Sequence, residues 1–373
     1  MLQNLFLQLL STVVVILRLF VSRIRFQYVG RLFHLIFGPG TVPKGLPYVP
    51  PFEVVSPRCH RMLAMNPGVH TLHGTNIYIC GSGKVRAIVD TGEIITAPKV
   101  VAKILDEVLP AIGCEQIRCV LLTHGHYDHV GGVTVLLQEL ERRGMQRPSV
   151  HKRRITESGN GCGGFETGAF PAVDFDCQHL HEGEEIVLEG ATLTVLYCPG
   201  HTDDSVAFVL KEDFAVLSGD SVLGCGSSVF DDLHAYMESL RRIRLHFLCQ
   251  NTDENEGVDG VEKSNSDTRL PPLHSVYPGH GPVVRERALA HVDAYISNRE
   301  SREEQLLVEM QKKGACWVSS LELVRVVYGD TLPLALWIPA QGNLLLYLKK
   351  LQHTQVVQRA PILDLWRLSQ TTA

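Results

Sequence analysis

The chain has 373 residues, 45% apolar and 20% charged. This is ordinary globular usage, and it excludes a wholly disordered, collagen-like or polytopic membrane protein. A formal net charge of −5 excludes a globally basic nucleic-acid binder, while leaving room for a local basic groove.

Residues 1–52 contain no Asp or Glu and carry Arg18, Arg23, Arg25, Arg31 and Lys44. Met1 to Leu17 has no charged side chain, and the apolar run continues past Arg18 to Val21. A bilayer span needs roughly 20 apolar residues, so this length is borderline. Acid-poor, Arg-containing N-termini also resemble mitochondrial transit peptides. Two readings stay open. The first is mitochondrial import; the second is membrane attachment through residues 1–37 with a cytoplasmic body, as the arginines after the apolar run imply. A core-packing helix is the plainer alternative. Pro39 to Pro51 reads as a linker, so the expected division is 1–52, then a body over 53–296, then a C-terminal domain over 297–373.

In the body, apolar runs of strand length recur at Ile77–Cys80, Ala87–Val89, Arg118–Leu122, Thr192–Tyr197, Phe214–Leu217 and Ser275–Tyr277. Helical patterns cover Ala97–Leu109 and Val133–Arg143. Mixed strands and helices predict an α/β architecture with helices covering the sheets. Asn251 to Pro272 is rich in acids, Asn and Ser, and predicts a mobile surface insertion. Past Arg285 the pattern turns helical. Ser319 and Glu322 form a capping box, Leu344, Leu345, Leu348 and Leu351 have helical spacing, and Gln355–Gln358 and Ile362–Leu368 suit a β-wing. Helix–turn–helix–wing is expected for about residues 300–368. Ten cysteines without a CxxC pair predict reduced thiols in an intracellular compartment.

The chemistry concentrates after the strand ending at Leu122, in Thr123-His124-Gly125-His126-Tyr127-Asp128-His129. Neutral imidazoles and a carboxylate suit zinc and similar divalent metals. In an extended or turning segment, His124 and His126 can face one position while Asp128 and His129 reach a second, the arrangement for two adjacent metals. Three more strand ends carry a Gly before a metal-competent residue: Pro199-Gly200-His201-Thr202, Ser218-Gly219-Asp220 and Pro278-Gly279-His280. Strand ends of one sheet converge on one rim, so the four motifs form a constellation.

THGHYDH, PGHT, SGD and PGHG, in this order, resemble the metallo-β-lactamase superfamily over roughly residues 60–295. Asn66-Pro67-Gly68, Gly74-Thr75-Asn76, Asp90-Thr91-Gly92-Glu93, Gly200-His201-Thr202-Asp203-Asp204, Ser227 to Leu233 and Asn343 to Leu351 resemble more closely the β-lactamase-like-protein-2 endoribonuclease family, over about residues 55–355. The resemblance implies an αββα sandwich followed by a winged helix. It implies two divalent metal ions, zinc first, with His124, His126 and His201 at one site, Asp128, His129 and His280 at the other, and Asp220 bridging. It also implies a metal-activated water and Asp128 as the catalytic group that orients it or takes its proton. The implied substrate is single-stranded RNA. A small thioester, cleaved as by glyoxalase-II enzymes with the same ligand set, is the alternative, and a non-enzymatic winged-helix binding module is the third reading. Asp90 reads either as a support behind the metal site or as a turn cap, and Asp203 and Asp204 as turn residues. Cys198 and Cys225 read as packing groups, and so do Tyr127 and Phe230, which could otherwise stack a base. Gly125 stands where that family usually has a bulky aromatic, which would loosen the metal loop.

Overall fold

A computed structural model describes residues 40–155, 176–248, 273–329 and 337–369. The whole N-terminal apolar segment and the whole 251–272 insertion lie outside the described residues. These residues divide into two compact units, one of residues 40–230 and 235–295, the other of residues 231–234 and 296–369. Among them, no helix is long and apolar enough to cross a membrane.

The larger unit is built on two sheets. The first has seven strands in chain order: β1 (Phe52–Ser56), β2 (Cys59–Leu63), β3 (Asn76–Cys80), β4 (Val85–Val89), β5 (Gln116–Leu121), β6 (Ser149–Lys152) and β7 (Cys177–His179). The second has five: β8 (Glu185–Leu188), β9 (Ala191–Tyr197), β10 (Val206–Leu210), β11 (Ala215–Gly219) and β12 (Ser275–Pro278), ordered β12-β11-β10-β9-β8. Alternation along a strand sends neighbouring side chains to opposite faces. Tyr78 and Cys80 of β3 therefore join Phe208 and Leu217 of the second sheet in one buried layer. Ile77 and Ile79 point the other way, onto Val100, Ile104, Val133 and Leu136. Both faces of β3 are dry, so it reads as an unbroken apolar run rather than as alternation.

Two helical segments cover that outer face: α1 (Ala97–Lys103) and, past a short helical turn α2 (Tyr127–Val130), α3 (Val133–Arg142). The helical pattern beginning at Ala97 reaches Ala111, but residues Ile104–Val108 widen into a π turn. Pro110 lacks an N–H and would clash with the carbonyl four residues back, so a regular helix cannot run through it. On the far side, α4 (Leu233–Leu248) buries Tyr236, Met237, Leu240 and Ile243. Tyr236 Oη donates to Ser221 O at 2.7 Å and Ser239 Oγ to Pro199 O at 2.7 Å, which ties α4 to the ends of β11 and β9.

The smaller unit carries most of α5 (Ala288–Lys313), then β13 (Val318–Ser319), α6 (Ser320–Tyr328), α7 (Trp337–His353), β14 (Val357–Arg359) and β15 (Leu365–Leu368). Its three strands pair in the order β13-β15-β14, the wing that the two C-terminal runs predict. The capping box is present: Glu322 N donates to Ser319 Oγ at 3.2 Å and Ser319 N to Glu322 Oε2 at 3.0 Å. The buried Trp366 anchors the wing, its indole N–H donating to Asp364 at 2.9 Å.

Candidate metal centre

β5, β9, β11 and β12 each end beside the others, and each delivers one motif. Past β5 the chain runs extended to His126, then winds into α2, where the amides of His129 and Val130 donate to His126 O at 3.0 and 3.1 Å. That single turn aims Asp128 and His129 at His280, while His124 and His126 meet His201. Gly200 has φ +128 and lies against the Tyr236 backbone, so no side chain fits there and His201 is fixed by close packing. A Cβ at Gly279 would stand 3.0 Å from the backbone of Gly219, so this glycine allows the ends of β11 and β12 to meet.

All seven residues singled out as ligands come together. His124 Nε2, His126 Nδ1 and His201 Nε2 form a triangle with sides of 3.0, 3.0 and 3.2 Å. A tetrahedral metal holding nitrogens at about 2.0–2.1 Å spaces them by about 3.3 Å, so the triangle fits one face of such a site. In the second cluster, His280 Nε2 lies 3.2 Å from Asp128 Oδ2 and 3.3 Å from His129 Nε2. Asp220 stands between the two: Oδ2 is 3.6 Å from His201 Nε2 and 3.3 Å from His280 Nε2, and Oδ1 is 3.4 Å from His129 Nε2. Its Oδ1 is buried with no hydrogen-bond partner. Buried carboxylate oxygens are almost always satisfied, so this one fits a cation. The two groups, His124, His126, His201 and Asp220, then Asp128, His129 and His280, are each able to hold a metal ion.

Four of the five histidines are oriented from behind. His129 Nδ1 donates to Asp90 Oδ2 at 2.7 Å, and Asp90 also accepts from the Thr123 amide at 2.9 Å and hydroxyl at 2.8 Å. Asp90 adopts φ +60, a left-handed conformation costly for a non-glycine residue, which this network holds in place. It supports a ligand rather than capping a turn. His124 Nδ1 lies 3.0 Å from Thr123 Oγ1, His201 Nδ1 donates to Val229 O at 2.6 Å, and His280 Nδ1 reaches Gly74 O at 3.3 Å. Thr75 Oγ1 donates to Asp128 at 3.3 Å, and Asn66 in turn donates to Thr75 Oγ1 at 3.1 Å. Asn66 and Thr75 lie in the Asn66-Pro67-Gly68 and Gly74-Thr75-Asn76 motifs, yet the link from Thr75 to Asp128 crosses 53 residues and leaves no local signal.

Burial keeps His124 well below the ordinary histidine range and lowers His126 to about 4, helped by neighbouring imidazoles, so both offer free lone pairs at neutral pH. In the second cluster burial works in the same direction but is outweighed. Asp220 and Asp128 raise His280 to about 10 and also raise His129. Burial would raise the two aspartates, but the facing histidines hold both well below the carboxylate range. Without metal, the second cluster therefore retains at least one proton at pH 7. Metal uptake there is expected to release it, and affinity is expected to rise with pH as His280 titrates. Calorimetry in two buffers of different ionisation enthalpy counts that proton; a count of zero contradicts this. The sign also applies to stability. The metal-free protein loses the contribution of His280 as pH climbs from 6.5 toward about 10.

Other singled-out residues pack. Phe230 stacks on Tyr236 at 5.1 Å, Cys198 is buried, and burial raises the half-buried Cys225 thiol. Asp204, read as a turn residue, is instead a buried partner of Lys152.

A family model described as the metallo-beta-lactamase superfamily matches residues 70–248, and one described as the beta-lactamase associated winged helix domain matches residues 319–366. The chain is 34% identical over 313 residues to the beta-lactamase-like protein 2 homolog of Caenorhabditis elegans, spanning 84% of this chain and 90% of that protein. It is 32% identical over 295 residues to an atrochrysone carboxyl ACP thioesterase of Claviceps purpurea, 77% of each. A solved beta-lactamase domain protein from Burkholderia ambifaria shares the fold at a TM-score of 0.60 and 18% identity, over 88% of this chain and 98% of that one.

Proposed function

The chain belongs to the metallo-β-lactamase superfamily, among the relatives of β-lactamase-like protein 2, and on that premise we propose that it is a two-zinc hydrolase that cuts single-stranded RNA. The observation that carries a two-metal reading is Asp220, whose oxygens reach both clusters and whose Oδ1 has no other partner. His124, His126 and His201 would hold one ion, Asp128, His129 and His280 the other, and Asp220 both. When bound, such a pair supplies an activated water at neutral pH and offsets charge developing on the phosphate. Asp128, ionised and steadied by Thr75, would orient that water or take its proton. Asp90 holds His129 in the tautomer that leaves Nε2 free. The proposal extends to the acid-free N-terminus as a mitochondrial targeting segment.

A second reading, thioester hydrolysis, has its own support. Residues 66–76, 123–132, 198–205, 219–232 and 278–284, which supply the ligands, contain no Lys or Arg, and Lys152, which packs behind the metal loop, is buried against Asp204. Polyanions are gripped by cationic side chains, and from Arg285 to Ala373 there are only eleven basic against nine acidic residues. Val229, whose carbonyl holds His201, is 68% exposed, and an apolar acyl chain could use such a surface. One of the relatives above is itself named as a thioesterase.

The test is a rate comparison with the zinc-loaded full chain on single-stranded RNA, single-stranded DNA and an acyl-thioester. The RNA reading expects metal-dependent RNA cleavage that weakens steeply with salt. Efficient thioester hydrolysis with RNA intact at low salt would replace it with the second reading.

A further inference from the structure

A glycine between two ligand histidines leaves space beside the metal loop. In this fold the space is filled. A Cβ on Gly125 would stand 2.9 Å from Asp204 Oδ2 and 3.6 Å from Lys152 Cε, so the loop backbone rests directly on the carboxylate of a buried ion pair. Lys152 and Asp204 are 5% and 7% exposed. Neither can swing aside. Thr202 Oγ1 donates to Asp204 Oδ1 at 2.6 Å, Lys152 Nζ donates to Asp204 Oδ2, and the same ammonium donates to Arg153 O at 3.2 Å. Lys152 ends β6, which runs parallel to β5, and Leu122 N donates to His151 O at 3.0 Å just ahead of the loop.

His126 needs such support more than its neighbours do. The second ring nitrogens of His124, His129, His201 and His280 are each engaged by a hydroxyl, carboxylate or carbonyl. Among the described residues, His126 alone of the five has only other histidines as hydrogen-bonding neighbours, through Nδ1. Its orientation then depends on the backbone that carries it, and that backbone is seated at Gly125. A carboxylate pinned from two sides is a firmer seat than an empty gap, because its position is over-determined.

From this we infer that the Lys152–Asp204 pair is a positioning couple that sets the three-histidine cluster through Gly125. The inference rests on the metal-centre reading above and assigns the pair no direct contact with substrate. Loss of an outer support of this kind costs about 10–100-fold in metal affinity at the ligand it orients.

The experiment strips the full-length protein of metal and titrates it with Zn²⁺ against a chromophoric chelator. The weaker or missing equivalent in His126→Ala identifies the three-histidine site. Asp204→Asn keeps the shape and removes the charge; Gly125→Ala keeps the pair and pushes it off the loop. Both are expected to weaken the equivalent marked by His126→Ala by about 10–100-fold and to leave the other unchanged. If Asp204→Asn does not fold, Gly125→Ala carries the test alone. Unchanged affinity at both sites in folded variants overturns the inference. So does an equal loss at both sites alongside a lower Tm, which a merely structural pair would produce. Wild-type protein that takes up no zinc overturns the metal-centre reading, and the inference with it.

Discussion

Asp220→Ala is expected to lower kcat/KM by at least about 10³-fold and to deplete both metal sites at once. Removing one preorganised electrostatic group from an active site costs about 10²–10³-fold, and Asp220 serves two clusters rather than one. Burial would neutralise this carboxylate, but His280 and His129 hold it ionised, so it is the negative charge around which the centre is organised. Its loss leaves Asp128 as the one carboxylate facing the Nε2 atoms of both histidines, with Asp90 behind His129 alone. Steady-state kinetics with metal analysis of the same preparation checks this. A variant that keeps two ions and wild-type turnover would show that Asp220 bridges nothing.

Asp128→Ala should abolish turnover and leave the fold intact, a loss of about 10³-fold or more, equivalent to about 4 kcal/mol of barrier. The side chain is buried beside His280 and His129, outside both apolar layers that hold the sheets together. Removing it deletes charge from the site without opening a cavity in the core. Thr75 Oγ1 loses its acceptor, a cost of about 1 kcal/mol. Circular dichroism and a thermal melt beside the rate measurement separate the two effects. A variant that unfolds, or one that still turns over, contradicts the assigned role.

The sequence was most legible where a strand feeds a ligand. The runs ending at Leu122, Tyr197, Leu217 and Tyr277 fall on β5, β9, β11 and β12, because strands dry on both faces are continuous apolar stretches. Less visible were β1 and β2, where His60 and Arg61 interrupt the apolar pattern. Arg61 is fully buried, satisfied by Glu53, Asn76 and Pro50 O, a pairing invisible in local composition. Five of the seven ligands were readable because each sits beside a glycine just past a strand, and Asp128 and His129 because they follow His126 within three residues. Their supports were not: Thr75, Lys152 and Asp204 act across 52 or 53 residues through contacts that only the folded chain makes. Gly125 shows the gap most clearly. As a sequence feature it suggests a loosened loop, yet the structure packs a buried ion pair into the space.

Elemental analysis of zinc-reconstituted, chelator-free full-length protein tests the central claim most directly. The paired clusters predict close to two ions per chain, falling toward none in Asp220→Ala. Less than one ion per chain in the wild-type protein after reconstitution would contradict the two-metal account.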